Sequence, residues 1–230
     1  MFLYNPFDPL YLVLVLPAMI FAMWAQFRVS SSFKKYAQQR TMNGLTGAGA
    51  AQEVLRQAGV FDVRIERVSG NLTDHFNPRS NVIRLSDSVH DSPSVAAVGV
   101  AAHEAGHAIQ YATSYAPIKL RAGIIPITKI GSMLAMPLVF LGLFLEWTGL
   151  INLGIILFGL VVVFQLITLP VEFNASRRAM RILGDSGLLS REELPASKKV
   201  LSAAALTYVG ALALSLMQLI SLILRANRRR

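Results

Sequence analysis

Four long apolar runs set the limits on how this chain can fold: Pro9–Phe27, Ile124–Leu145, Leu150–Val171 and Val200–Leu224. Each approaches or exceeds the roughly 20 residues that a helix needs to cross a bilayer. Inside lipid every backbone N–H and C=O must be satisfied within the segment, so runs of this length fold as helices. The whole composition agrees, with 53% hydrophobic and 15% charged residues, whereas soluble domains carry about a quarter charged residues. The net charge of +9 could suggest nucleic acid. The basic residues, however, are scattered or flank the apolar runs, which is where the positive-inside rule puts them, so no nucleic-acid partner is expected. With no cysteine in the chain, disulfides and thiolate metal sites are excluded, and any metal must be held by His, Asp, Glu or water.

The first run lacks a small-residue cleavage site and reads as a retained anchor. Arg28, Lys34, Lys35 and Arg40 follow it and put its C-terminal end on the cytoplasmic side. Residues 28–40 read either as a helix lying on the membrane surface or as a linker. Only Glu146–Gly149 separates the second and third runs. They form a helical hairpin that brings residues 121 and 172 back to the same side. Four spans leave the tail, Arg225 and Arg228–Arg230, on the outside against the charge bias.

The polar stretch between the first and second runs carries the chemistry. His103-Glu104-Ala105-Gly106-His107 is an H-E-x-x-H sequence in an alanine-rich helical run. Residues four apart share one face of a helix, so the two imidazoles can grip one metal ion. Glu104 is one position on from the first histidine, where a carboxylate can reach a water on that ion. Two imidazole ligands, a metal-polarised water and a carboxylate base make the zinc-peptidase arrangement. Ser94 is placed to cap the helix. Gly106 would let substrate or a neighbouring helix come close.

Upstream, Thr46 caps a helix running to about Ala58, and Gly59 ends it. Val63–Val68, Leu72–Phe76 and Val82–Leu85 read as strands, with the turn-rich segment Asn77–Asn81 between the last two. A small antiparallel sheet just before the H-E-x-x-H helix is expected.

Catalytic zinc usually has three protein ligands. The candidates for the third are His75, His90 or a carboxylate. Glu172 is the strongest, because it directly follows the third apolar run and begins a helix, Glu172–Leu183, that could cross the histidine helix. His75 is a candidate donor to the oxyanion of a tetrahedral intermediate, and its strand could add an extended substrate by β-pairing. Tyr111 and Tyr115 are further possible donors, although tyrosines so placed are more often core or interfacial.

Four segments carry a resemblance: Leu45–Ala48, Asp74–Ser80, Ala101–Gln110 and Leu169–Ser176. From about residue 20 to residue 215 the chain resembles the YugP-type membrane zinc metallopeptidases. More distantly it is similar to the HtpX and CAAX-processing membrane proteases. The resemblance implies a zinc ion held by two histidines and a glutamate, hence His103, His107 and Glu172. It also implies a gluzincin-like catalytic part carried on a membrane helix bundle. Those distant relatives have an aspartate four residues after the ligand glutamate to orient a ligand histidine. This chain has Ser176 there, which leaves Asn174 or Asp74 to orient the histidines.

The expectation is a mainly α membrane protein of about four spans with a small cytoplasmic metalloprotease core. Residues 1–27 form the anchor, 28–121 the catalytic region, 122–171 the hairpin, 172–199 the segment with the third ligand, and 200–230 the last helix and basic tail. Zn2+ is the cofactor, Glu104 the general base and His75 an assisting catalytic residue. The partners are a lipid bilayer and a peptide or protein substrate close to it. The setting is a bacterial plasma membrane with the site on its cytoplasmic side. The competing reading is a zinc-stabilised membrane scaffold without turnover. Glu104 argues against it, since a structural metal needs ligands but no base.

Overall fold

The computed structural model describes residues 9–227. The tail residues Arg228–Arg230, expected on the outer side against the charge bias, lie beyond the described residues. A π-helical turn, Tyr11–Val15, leads into helix α1 (Leu16–Tyr36). There follow α2 (Gly47–Gln57), β1 (Arg64–Val68), β2 (His75–Asn77), β3 (Val82–Ser86), α3 (Val95–Ala112), α4 (Ala116–Phe144), α5 (Thr148–Asp185) and α6 (Leu194–Asn227). Among the described residues, four helices are long and apolar enough to cross a membrane: Tyr11–Tyr36, α4, α5 and α6. The protein is a mainly helical membrane protein with one small sheet.

The chain divides into two compact units. One comprises the described parts of Met1–Gln26, Leu120–Leu169 and Leu206–Arg230. Its helices meet through small residues, as membrane helices without a hydrophobic driving force between them must. A Cβ on Gly154 would lie 2.6 Å from the Ala135 carbonyl oxygen, and one on Gly210 would lie 3.0 Å from the Cα of Ala22.

The other unit comprises Phe27–Lys119 and Pro170–Ala205. Its core packs α2 against α3 over one face of the sheet, with Val54, Leu55, Ile83, Leu85, Val98, Ala101, Ala105 and Leu183 buried. The caps expected from sequence are present. The Thr46 side chain accepts from Gly49 N–H, and the Ser94 side chain from Ala97 N–H. Gly59 follows α2 with φ +71°, a left-handed conformation that glycine adopts without steric cost.

Four expectations change. The sheet is mixed, in the order β1-β3-β2, with β1 parallel and β2 antiparallel to β3. The reason is burial: Val82, Ile83 and Leu85 are fully buried, so β3 takes the centre, while the charged β1 keeps to an edge. β2 is also shorter and later than expected. Asp74 Oδ1 accepts from Ser86 N–H at 2.8 Å and so takes the place of a ladder partner. Leu72, at φ +55°, turns the chain before it. Finally, residues 28–36 are the last turns of α1 rather than a separate surface helix or linker, and Glu172 lies inside α5 rather than at the start of a new helix.

Candidate metal centre

Helices α3 and α5 build the site. His103, His107 and Gln110 stand at positions i, i+4 and i+7 of α3 and so share one face. The crossing with α5 is close because of Gly106, where an added Cβ would lie 2.5 Å from the Ala175 carbonyl oxygen. Of the two roles open to Gly106, it is the neighbouring helix that needs the space. Gly99 does the same one helix further on, against Ser197 of α6.

This approach brings Glu172 Oε2 to 3.3 Å from His103 Nε2 and 3.4 Å from His107 Nε2. The imidazoles meet edge to face, with centroids 4.7 Å apart and planes at 81°. One ligand atom from each of the three residues lies within 4.8 Å of the others. Tetrahedral zinc with bonds of about 2.0–2.1 Å sets its ligand atoms about 3.3–3.4 Å apart, so the nitrogen–oxygen spacing fits the ion. The two histidines and one carboxylate are also the donor set of catalytic zinc. Glu172 is buried at 2% exposure, and a carboxylate at that depth requires a positive partner.

Glu104 is buried beside this group, and its Oε2 accepts from Phe76 N–H of β2 at 2.9 Å. Burial disfavours a charge on His107, but the hydrogen bond it donates to the Glu172 carboxylate and the nearby Glu104 carboxylate outweigh it, and the imidazole pKa is raised. Burial also pushes the Asp74 carboxyl up, with the Ser86 donors pulling it part of the way back.

The histidines are oriented by residues other than those expected. His103 Nδ1 lies 3.0 Å from Ser176 Oγ, so Ser176 itself stands where the distant relatives have aspartate. His107 Nδ1 lies 3.0 Å from Gln110 Oε1. Asn174 reaches Gln110 rather than a histidine, and Asp74 holds Ser86. Gln110 went unremarked in the sequence, although its place three residues after His107 puts it on the ligand face. His75 is exposed on β2, with Nδ1 at 2.9 Å from the Thr73 carbonyl oxygen, outside the three-residue group. His90 pairs with Asp91. Tyr111 packs against Phe76, and Tyr115 lies under the Arg178 guanidinium.

A family model described as "Putative neutral zinc metallopeptidase" matches residues 11–227. The chain belongs to this family. Zinc is therefore the metal implied for the His103, His107 and Glu172 group. A protein of Bacillus subtilis (strain 168), described as "Putative membrane protease YugP", is 46% identical over 216 residues, covering 94% of this chain and 96% of that protein. No solved structure matches the chain.

Proposed function

We propose that this protein is a zinc-dependent endopeptidase of the bacterial plasma membrane with its active site toward the cytoplasm. The observation that carries the proposal is the Glu104 carboxylate, buried beside the His103, His107 and Glu172 group and held by the Phe76 N–H. A structural metal has no use for a further carboxylate kept at such cost. The cytoplasmic side rests on the basic residues Arg28, Lys34, Lys35, Arg177, Arg178 and Arg181 that flank the apolar runs.

His103, His107 and Glu172 would hold the ion, which when bound polarises water and lowers its pKa toward neutrality. Glu104 accepts a proton from the attacking water. Its Oε2 already accepts from Phe76 N–H, which leaves Oε1 for that role. Glu104 then returns the proton to the leaving amine. His75 is the proposed donor to the oxyanion. A carbonyl oxygen only accepts, so Thr73 fixes the proton on His75 Nδ1, and Nε2 donates only while the ring is an imidazolium. An extended peptide pairs along the edge of β2 that faces away from β3. Because Glu172 immediately follows an apolar run, the proposed substrates are membrane-proximal or unfolded segments.

The test is metal content and quenched-peptide cleavage on purified protein, with wild type beside Glu104→Gln and Glu172→Ala. Near-stoichiometric zinc in wild type and Glu104→Gln, its loss in Glu172→Ala, and cleavage by wild type alone would bear the proposal out. Zinc without cleavage by wild type would favour the scaffold, and full zinc in Glu172→Ala would remove the third ligand.

A further inference from the structure

We propose that Gln110 is a positioning residue that locks His107 in the tautomer able to bind metal, and that Asn174 and Arg178 hold Gln110 in that orientation. The inference rests on the metal site proposed above and concerns ligand orientation, not turnover. Gln110 is fully buried, and its amide makes three contacts: Oε1 to His107 Nδ1 at 3.0 Å, Nε2 to the Val171 carbonyl oxygen at 2.8 Å, and Nε2 to Asn174 Oδ1 at 3.0 Å. Asn174 Oδ1 also accepts from Arg178 Nε at 2.8 Å.

The direction of every bond in this chain follows from its two ends. A backbone carbonyl can only accept, so the Gln110 nitrogen must face Val171. A guanidinium can only donate, so the Asn174 oxygen must face Arg178, and the same oxygen receives the second Gln110 N–H. Both amide hydrogens are thereby engaged and Gln110 cannot flip. Its oxygen then faces His107 Nδ1, which must carry the proton, and the lone pair of the neutral ring lies on Nε2. That is the nitrogen turned toward Glu172.

His103 lacks this lock. Its Nδ1 partner is the Ser176 hydroxyl, which can donate or accept. The two ligands therefore differ, His107 being set in advance by α5 and His103 being set by whatever Nε2 meets. Glu172, Asn174, Ser176 and Arg178 all lie on α5, so the helix that carries one ligand also orients the other two.

The decisive experiment uses zinc-free wild-type protein and long-range proton–nitrogen correlation of the imidazoles, at a pH where the rings are neutral. His107 is expected with a protonated Nδ1 and a bare Nε2, and a proton on Nε2 would overturn the inference. Beside it, Gln110→Met keeps the volume and removes every hydrogen bond. Zinc affinity should fall about 10- to 100-fold, and the visible absorption of the cobalt-substituted site should change. Zinc binding by a folded Gln110→Met within about twofold of wild type would also overturn the inference. If Gln110→Met does not fold, the wild-type spectrum decides alone. Neither readout needs turnover. Zinc binding without cleavage by wild type would sink the peptidase proposal and leave this one standing. Cleavage by wild type with an indifferent Gln110→Met would do the reverse.

Discussion

Phe76 of β2 gives its backbone N–H to Glu104 of α3 at 2.9 Å, so the edge of the sheet is tied to the carboxylate beside the ligand histidines. The tie couples the strand proposed to receive substrate to the group proposed to move the proton. A hydrogen bond to a charged acceptor contributes about 1.5–3 kcal/mol, enough to decide where a buried carboxylate rests.

Removing that donor should therefore impair turnover without emptying the site. Phe76→Pro deletes the N–H, and Phe76→Ala deletes the ring that packs on Tyr111 but keeps the N–H. The proline variant should show kcat about tenfold or more below that of the alanine variant, with equal zinc content in both. Equal kcat in the two variants would mean that the bond does not position Glu104.

The α3–α5 crossing tolerates no side chain at Gly106. Gly106→Ala sets a Cβ 2.5 Å from the Ala175 carbonyl oxygen, and backbone cannot yield as a flexible side-chain end can. Overpacking of this kind costs about 1–3 kcal/mol. The displacement falls three residues from Glu172, so zinc content should drop together with Tm. Gly159→Ala, also on α5, meets nothing within 4 Å and should leave both unchanged.

His75→Ala should retain zinc and lose catalysis. Deleting one oxyanion donor costs about 10²–10³ in kcat. An unchanged kcat in a folded, zinc-loaded His75→Ala would point to a role other than oxyanion donation.

Asp74 should make stability depend on pH with a definite sign. Its folded pKa is raised by burial, so the native state favours the protonated carboxyl. The contribution is fully present below the unfolded pKa and is lost as pH rises through the folded one. Asp74→Asn can still accept from Ser86 N–H and donate to Ser86 Oγ without a buried charge. Thermal melts should find it at least as stable as wild type at pH 8, with the advantage gone at acid pH.

Much of this protein could be read directly from its residues. Apolar runs of bilayer length leave the backbone no option but helix, so α4, α5, α6 and the first span were legible. So were the caps at Thr46 and Ser94, because a cap is a local hydrogen bond between near neighbours in the chain. The pair His103 and His107 was legible for the same reason, their spacing and the helical repeat being enough to set them on one face. What escaped were relationships made across the fold. The parallel pairing of β1 with β3 depends on which strand is buried on both faces, a competition among segments that no single segment reveals. The role of Ser176 looked like a loss when compared with an aspartate. It becomes a contact only because Gly106 lets α5 come near enough for a short hydroxyl to reach His103.

Local chemistry along the chain thus decided that there would be membrane helices, a capped α3 and two imidazoles ready for one ion. Tertiary structure decided the rest. It brought Glu172 to both histidines, set Phe76 N–H on Glu104 and, through Val171 and Asn174, fixed the Gln110 amide that faces His107. The physical reason is range. Helix periodicity and capping act over a few residues, whereas the contacts that complete the site join residues 28 to 73 positions apart, and only the close packing of α3 on α5 and β2 brings them within hydrogen-bond distance.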